Sequence, residues 1–355
     1  MNGAEIISLC LFLFLLSLIL LFDLGVFNKE EKDPDYKQSL IRTGIWVLLA
    51  FGFFVFLWFN GSVFHGIQNA EELRNLLGKY QERQPVQGNS FASTLEQYNH
   101  DLGLSFLNGY FVEYSLSMDN ILVIILIFTS FKVERKYYHK VLFWGIIGAV
   151  ALRALFIFIG TTLIQHFHWV LYIFGAFLIF SGTSMFIKRN EEESMDSDTH
   201  PVVRWLSKIF PLEKNFHEDR FFIRKENKNW ITPLFLVLMV IEFSDLIFAV
   251  DSIPAVFSIT RDPYIVFFSN IFAIMGLRSL FFLMEGIVDR FHYLKTGLAI
   301  LLVLVGFKML FPGFFERIGF SNTVSLFTIL GILGGSILIS LWVTGRREKS
   351  ESIRE

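Results

Sequence analysis

Apolar residues in this sequence come in blocks of about 20, and this feature restricts the fold more than any other. An α-helix rises about 1.5 Å per residue, so a block of this length crosses the roughly 30 Å hydrocarbon core of a bilayer. The 355 residues are 53% hydrophobic and 18% charged, which is too apolar for two or three soluble domains. The sequence therefore predicts an all-α polytopic membrane protein.

Nine such blocks are found along the chain, and we predict a membrane helix for each. They cover about residues 5–27, 40–62, 103–130, 140–164, 168–187, 231–256, 264–286, 293–311 and 322–344. The first block has no basic start and no small-residue cleavage site, so we expect a retained helix rather than a signal peptide. We predict one membrane domain over residues 1–355, with two long connections at 63–102 and 188–230.

The basic residues are distributed unevenly between the two sides of the predicted bundle. The connections after blocks 1, 3, 5 and 7, together with the C-terminal tail, hold 23 Lys and Arg, against five on the other side. Because positive charge accumulates on the cytoplasmic side, the N-terminus is predicted to lie outside and the C-terminus in the cytoplasm. Connection 63–102 is then extracytoplasmic and connection 188–230 cytoplasmic.

Both long connections contain short patterns of their own. Residues Ala70–Tyr80 predict a short amphipathic helix. The stretch EEESMDSDTHP at 191–201 is polar and acidic and predicts disorder. The following VVRWLSKIFPL, at 202–212, is amphipathic and predicts a segment on the membrane surface.

Two pairs of motifs indicate an internal repeat. SLSMDNILV at 115–123 matches IFAVDSIPAV at 247–256 in an Asp followed by a small polar residue and Ile, and LRALF at 152–156 matches LRSLF at 277–281. The matching units are blocks 3–5 and blocks 6–8. Because each unit has three helices, the second copy would be inverted in the membrane, which is typical of secondary transporters with a site between the repeats.

Charged residues lie well inside the predicted helices. A carboxylate at mid-membrane costs about 2.5 to 3.5 kcal/mol, so it normally faces a cavity or a partner charge. Arg153 and Arg278 are the available counter-charges, and five acids with two arginines leave a formal charge of −3, which favours a cation site. The five acids are Glu113, Asp119, Glu242, Asp245 and Asp251.

The chemistry of these side chains favours a hard cation. Carboxylate, amide and hydroxyl oxygens suit Mg²⁺, Ca²⁺ or Mn²⁺. On a regular helix Asp119 lies about 120° from Glu113, so convergence needs two faces lining one cavity or a broken helix, and Pro254 predicts such a break. The predicted metal ligands are Glu113, Asp119, Asn120, Glu242, Asp245 and Asp251, supported by Ser117, Arg153, Ser252, Pro254, Asn270 and Arg278.

Two alternatives apply to these residues. Carboxylate–arginine pairs can be purely structural and hold helices in register. Asn270 either reaches the site or only bonds to a neighbouring helix.

These same segments carry a resemblance to a known family. VEYSLSMDN, YYHKVLFWGIIGAVALRALFIFIG, TPLFLVLMVIEFSDLIFAVDSIPAVFSIT and FFSNIFAIMGLRSLFFL closely resemble the TerC family of integral membrane proteins, over most of the chain. Members are associated with tellurium resistance and, among Alx-type proteins, with manganese export, and the family is grouped with LysE-type exporters. The resemblance implies a bacterial inner-membrane protein that exports Mn²⁺. It places the family's acids on the five carboxylates named above.

Other functions are kept as competing hypotheses. An intramembrane aspartyl hydrolase could use Asp119 and Asp251, but the extra acids, the two arginines and the lack of a GxGD-type motif argue against an enzyme. A non-transporting scaffold could assist metallation, insertion or stress resistance through the 188–230 connection. The expected partners are the lipid bilayer and a divalent metal ion as cargo. Proton-coupled transport of that ion is one hypothesis. Neither a resident cofactor nor nucleic acid is expected.

Overall fold

The computed structural model describes residues 36–81, 90–167, 169–187, 201–213, 217, 219–225, 228–285 and 293–351, together with Phe14 and Leu18. This part of the chain forms twelve α-helices and one two-stranded hairpin. The helices are α1 (Tyr36–Asn60), α2 (Ala70–Leu76), α3 (Phe91–Ser130), α4 (Tyr138–His166), α5 (Val170–Ile187), α6 (Pro201–Ile209), α7 (Pro233–Phe257), α8 (Pro263–Met275), α9 (Leu277–Glu285), α10 (Leu294–Leu310), α11 (Pro312–Arg317) and α12 (Asn322–Glu351). The antiparallel strands are β1 (Phe222–Lys225) and β2 (Lys228–Ile231).

The helices confirm an all-α polytopic membrane protein. Within the described ranges, six helical segments are long and apolar enough to cross a membrane, and α8 with α9 makes a seventh if this bent pair is one span. The first predicted block lies outside the described residues apart from Phe14 and Leu18. The eighth forms α10, which has only 17 residues. The predicted total of nine spans is therefore not confirmed.

The seventh predicted block is two helices rather than one. α8 and α9 meet at Gly276 with a bend of 42°. Glycine loses more backbone entropy in a helix than other residues do, and helices bend readily at it. Gly276 packs against α1, and a Cβ added to this glycine would lie 3.4 Å from Trp46 Cβ. A break in the bundle therefore lies between Asn270 and Arg278.

The break predicted at Pro254 is wrong. α7 continues through Pro254 to Phe257. A proline inside a helix removes one backbone hydrogen bond and crowds the carbonyl four residues earlier. Pro254 lies in the last turn of α7, so the helix loses this one bond close to the point where it ends anyway.

α3 is longer than its predicted span of 103–130. Its 40 residues extend about 60 Å, twice the thickness of the hydrocarbon core. The first turns belong to the predicted 63–102 connection and are tied to the end of α1. There Asn99 Oδ1 accepts a hydrogen bond from Ser62 N at 2.7 Å, and the ring of His100 stacks on Trp58 at 4.0 Å. The helix predicted at Ala70–Tyr80 is confirmed as α2 and a following π-turn over Leu77–Gln81.

The second long connection, 188–230, contains more structure than predicted. Its amphipathic stretch forms α6, which buries Val202 and Leu206 and leaves Trp205 and Ile209 59% and 52% exposed. The hairpin of β1 and β2 had not been predicted. The acidic stretch up to residue 200 lies outside the described residues, and the location of α6 on a membrane surface stays a prediction.

α5 and α10 cross with their backbones in close contact. A Cβ on Gly175 would lie 3.0 Å from the carbonyl oxygen of Gly306, and a Cβ on Gly306 would lie 2.7 Å from that of Gly175. A Cβ on Gly182 would lie 2.7 Å from the carbonyl oxygen of Ala299. Only glycine at these positions allows so close an approach.

The contacts run in opposite order along the two helices, since Gly175 meets Gly306 and Gly182 meets Ala299, so α5 and α10 cross as an antiparallel pair. An antiparallel pair does not test the predicted inverted repeat, which stays a prediction.

We expect Gly306→Ala to lower the free energy of unfolding by about 1–3 kcal/mol, the usual cost of overpacking. The added methyl group would lie 2.7 Å from a backbone oxygen that cannot rotate away. Gly331→Ala on α12, where nothing lies within 4 Å, is the control and should be neutral or slightly stabilising. Thermal unfolding of both purified variants measures the effect, and equal midpoints would contradict this account of the crossing.

Candidate ion-binding site

The side chain of Arg153 on α4 is completely buried among acids. Its Nη2 donates to Asp245 Oδ1 at 3.0 Å, and its Nε lies 3.5 Å from Asp245 Oδ2. Its Nη1 donates to Asn270 Oδ1 at 3.1 Å. The guanidinium also forms an ion pair with Glu113 Oε1. The N–H groups of the guanidinium are thus shared among the side chains of Glu113, Asp245 and Asn270.

These four residues come from four different helices. Glu113 lies on α3, Arg153 on α4, Asp245 on α7 and Asn270 on α8. The Glu113 side chain is fully buried and that of Asp245 is 14% exposed. Arginine stays protonated in proteins, so its burial requires a carboxylate partner. Two carboxylates share its single positive charge, which leaves a formal charge of −1 at this centre.

Asn270 bonds to the neighbouring α4 through the buried arginine. Its Oδ1 accepts from Arg153, and its Nδ2 donates to the carbonyl oxygen of Val266 at 3.0 Å. The amide therefore orients the guanidinium, and a role of Asn270 in an ion site stays a prediction. This arrangement also supports a structural role for the pairs, because it fixes α4 against α8.

The other predicted ligands of α3 lie further along that helix. Asp119 and Asn120 are both buried, with exposed fractions of 8% and 4%. Ser117 on α3 and Ser252 on α7 are also buried, and neither hydroxyl has a hydrogen-bond partner among the described residues. Among the described residues, no group of three Asp, Glu, His or Cys could hold a metal ion. The structure therefore does not gather all predicted ligands at one point.

Glu242 lies one turn before Asp245 and depends on a glycine that the sequence analysis missed. Its carboxylate occupies the space where a Cβ on Gly148 of α4 would be, so a larger residue at this position would displace the Glu242 side chain. One turn earlier, Gly145 faces Ile241 in the same interface. The GIIG pattern at 145–148, which lets two helices approach closely, was the available signal.

A small cavity of about 30 Å³ lies beside this cluster. Asn120, Ser244 and Asp245 supply its polar lining, and the rest of the lining is mostly apolar. The volume suffices for one water molecule or one dehydrated cation. Ser244, which had not been predicted, donates its hydroxyl hydrogen to Val240 O at 2.9 Å and keeps oxygen lone pairs as acceptors.

Arg278 has a different environment from Arg153. Its Nη2 lies 2.9 Å from Nδ1 of His139, at the start of α4. Because the guanidinium can only donate, this bond needs an unprotonated Nδ1 and therefore a neutral imidazole. His139 had not been predicted. Asp251 lies in α7, but its side chain is outside the described residues, so its predicted ligand role stays a prediction.

We expect Arg153→Leu to lower the free energy of unfolding by about 3–5 kcal/mol, because it leaves two intramembrane carboxylates without their counter-charge. Arg153→Lys keeps the charge but loses the forked geometry, so its loss should be smaller. Denaturant unfolding in detergent measures both.

The control for Arg153 is Arg135→Leu, which removes a pair with Glu285 at 3.1 Å where the Arg135 side chain is 55% exposed. Exposed pairs contribute about 0–1 kcal/mol. Similar losses in Arg153→Leu and Arg135→Leu would contradict the central role given to the buried arginine.

Comparison with known proteins shows the family of this chain. The family model described as "Integral membrane protein TerC family" matches residues 98–348, a range that contains the whole cluster around Arg153. The chain is 38% identical over 323 residues to an uncharacterized membrane protein of Myxococcus xanthus, covering 91% of this chain and 88% of that protein.

It is 44% identical over 246 residues to proteins of Salmonella typhi and Escherichia coli (strain K12) named "Putative membrane-bound redox modulator Alx", covering 69% of this chain and 75% of each relative. No solved structure matches the chain. From the family match and these relatives, the chain belongs to the TerC family of integral membrane proteins.

Proposed function

We propose that this protein is a secondary-type transporter that exports a divalent metal cation, with Mn²⁺ as the first candidate. The observation that carries the proposal is the pair of carboxylates, Glu113 and Asp245, on one buried arginine. A purely structural pair would need one acid for one base, whereas this centre keeps an excess negative charge. Ionisable groups at such depth are characteristic of ion pathways.

The donors beside this centre suit a hard cation. Asn120, Ser244 and Asp245 offer amide, hydroxyl and carboxylate oxygens around the small cavity. Oxygen donors of these kinds favour Mg²⁺, Ca²⁺ and Mn²⁺ over softer metals. No resident cofactor and no enzymatic activity belong to this proposal.

Competition for Asp245 would link ion binding to helix movement. Asp245 lines the cavity and is also held by Arg153, so a cation in the cavity competes with the guanidinium for the same carboxylate. When the cation prevails, α7 loses its strongest described attachment to α4. Protons can neutralise the same carboxylates, which provides a route to cation/proton exchange.

The proposal also includes a location and a direction. The named relatives come from bacteria, which supports the bacterial inner membrane. The excess of Lys and Arg on one side supports an outer N-terminus and a cytoplasmic C-terminus. Cations would then leave the cytoplasm through the bundle.

The second candidate is a membrane scaffold without transport. It is favoured by the exposed Trp205 and Ile209 on α6, which form an apolar face on the predicted cytoplasmic side. The relatives' name suggests a redox role, but this sequence has a single cysteine, so it offers no internal pair of thiols. Transport explains the buried charges, whereas the scaffold gives them no role beyond structure.

In proteoliposomes loaded with ⁵⁴Mn²⁺, we expect wild-type protein to carry efflux that Mg²⁺ or Ca²⁺ loaded together with it lowers by competition, and that external protons alter by exchange. Asp245→Asn and Asp119→Asn should each lower the flux by about tenfold or more, the usual scale when a metal ligand or its support is removed. The exposed Glu134→Gln, which alters a surface pair with Lys136, is the matched control and should keep the flux.

Size-exclusion profiles and orientation assays would establish that all these variants are folded and inserted. Unchanged flux in both aspartate variants would contradict the proposed ion site. Inserted wild-type protein with no flux for any of the three cations would favour the scaffold.

The exposed face of α6 separates the two candidates. Trp205→Ser with Ile209→Ser changes side chains that lie mainly outside the packed core. If the protein is a transporter, Mn²⁺ flux and cellular Mn²⁺ resistance should both persist in this double variant. Loss of resistance with intact flux would show that docking at α6, not transport, supports the cellular function.

A further inference from the structure

A second and larger cavity, of about 440 Å³, opens where α7 ends and α3 begins to enter the bundle. This is the end of the bundle assigned to the extracytoplasmic side. Ser105, Ser258 and Asn322 contribute polar groups to its wall. Its charged lining residues are Asp101, Arg261 and Lys308, so their formal sum is +1.

A chain of hydrogen bonds connects this cavity to a deeper residue. Asn322 Nδ2 donates to Ser105 Oγ at 3.3 Å, and the carbonyl oxygen of Asn322 accepts from Asn108 Nδ2 at 2.9 Å. Asn108 is fully buried, and its Oδ1 has no hydrogen-bond partner within the described part of the chain. A buried orphan acceptor costs about 1–3 kcal/mol and calls for water or an ion as its partner.

The same face of α3 continues from Asn108 to Asp119. Ser115 and Asp119 follow Asn108 by 7 and 11 residues, which places them within about 20° of it around the helix. Both are buried. This face therefore carries a line of polar side chains from the large cavity to Asp119, whereas Glu113 and Asn120 lie about 120–140° away around α3.

α7 also carries polar side chains at two depths, about 120° apart around the helix. Ser258 lines the large cavity, and six residues deeper the buried Ser252 hydroxyl has no partner among the described residues. Between these depths Val112 of α3 and Ala255 of α7 belong to one buried apolar cluster. The line is thus polar at both ends and closed by small apolar side chains in the middle.

We propose that the large cavity is the outer mouth of the cation path, and that water and the exported ion pass along the face of α3 formed by Ser105, Asn108, Ser115 and Asp119. This inference rests on the proposed transport function and gives it a route. The formal charge of +1 disfavours retention of a cation at the mouth, and the barrier that it adds applies to exit and to entry alike.

Cysteine accessibility tests the route. In full-length protein with Cys10→Ser, single variants Ser105→Cys and Asn108→Cys are reconstituted in proteoliposomes and exposed to an external, cationic, membrane-impermeant thiosulfonate. The control is Phe106→Cys, which lies between them on α3 but belongs to the apolar cluster shared with α1 and α8. Because thiol modification requires access to water, Asn108→Cys should react about tenfold or more faster than Phe106→Cys.

Modification of Ser105→Cys or Asn108→Cys should also stop ⁵⁴Mn²⁺ flux. If Asn108→Cys does not fold, Ser115→Cys tests the next position on the same face. Equal reaction rates on the two faces of α3 would overturn the route, and so would complete modification that leaves flux unchanged.

Failure of the function itself gives a different result. In that case the unmodified wild-type protein carries no flux, whatever the labelling pattern. Wild-type flux together with unreactive Asn108→Cys and Ser115→Cys would retain the transporter and discard only this route.

Discussion

The bundle is organised around one buried positive charge that the membrane interior cannot solvate. Arg153 keeps its proton and therefore must be met by acceptors, and it draws them from three neighbouring helices. Glu113, Asp245 and Asn270 thereby fix the relative positions of α3, α4, α7 and α8. Two acids on one arginine leave a formal negative charge at this centre, and the proposed cation site rests on that excess.

Much of this could be predicted from the sequence because membranes impose simple rules. Helix length follows from bilayer thickness, so the blocks predicted α1, α3, α4, α5 and α7 with errors mainly at their ends. The energetic cost of a buried charge marked Glu113, Arg153 and Asp245 as mutual partners or ligands. The sequence could not show which of these charged residues pair with each other. Pairing depends on the rotation of each helix and on its depth in the membrane, and the charges alone specify neither.

The missed features depend on contacts between helices. Gly148 leaves the space that the Glu242 carboxylate occupies, and the GIIG pattern indicates a close helix approach without indicating which residue of the other helix fills that space. Gly276 ends α8 while Pro254 lies within α7, although proline is the stronger helix breaker. The positions of the two residues explain the difference. Pro254 is near a helix end, where few backbone hydrogen bonds can be lost, whereas Gly276 lies in the middle of its span and packs against Trp46. Ser244 and His139 became visible only once their neighbours were placed.

The crossing of α5 and α10 has a mechanical consequence. At Gly175 and Gly306 the two backbones touch with no side chain between them. The side chains of Ile179, Met309 and Leu310 pack around this contact, so the crossing holds the two helices at a separation that side chains on the two glycines would increase. A tilt of one helix against the other that preserved this contact would leave the separation here unchanged and produce its larger displacements at the ends furthest from it.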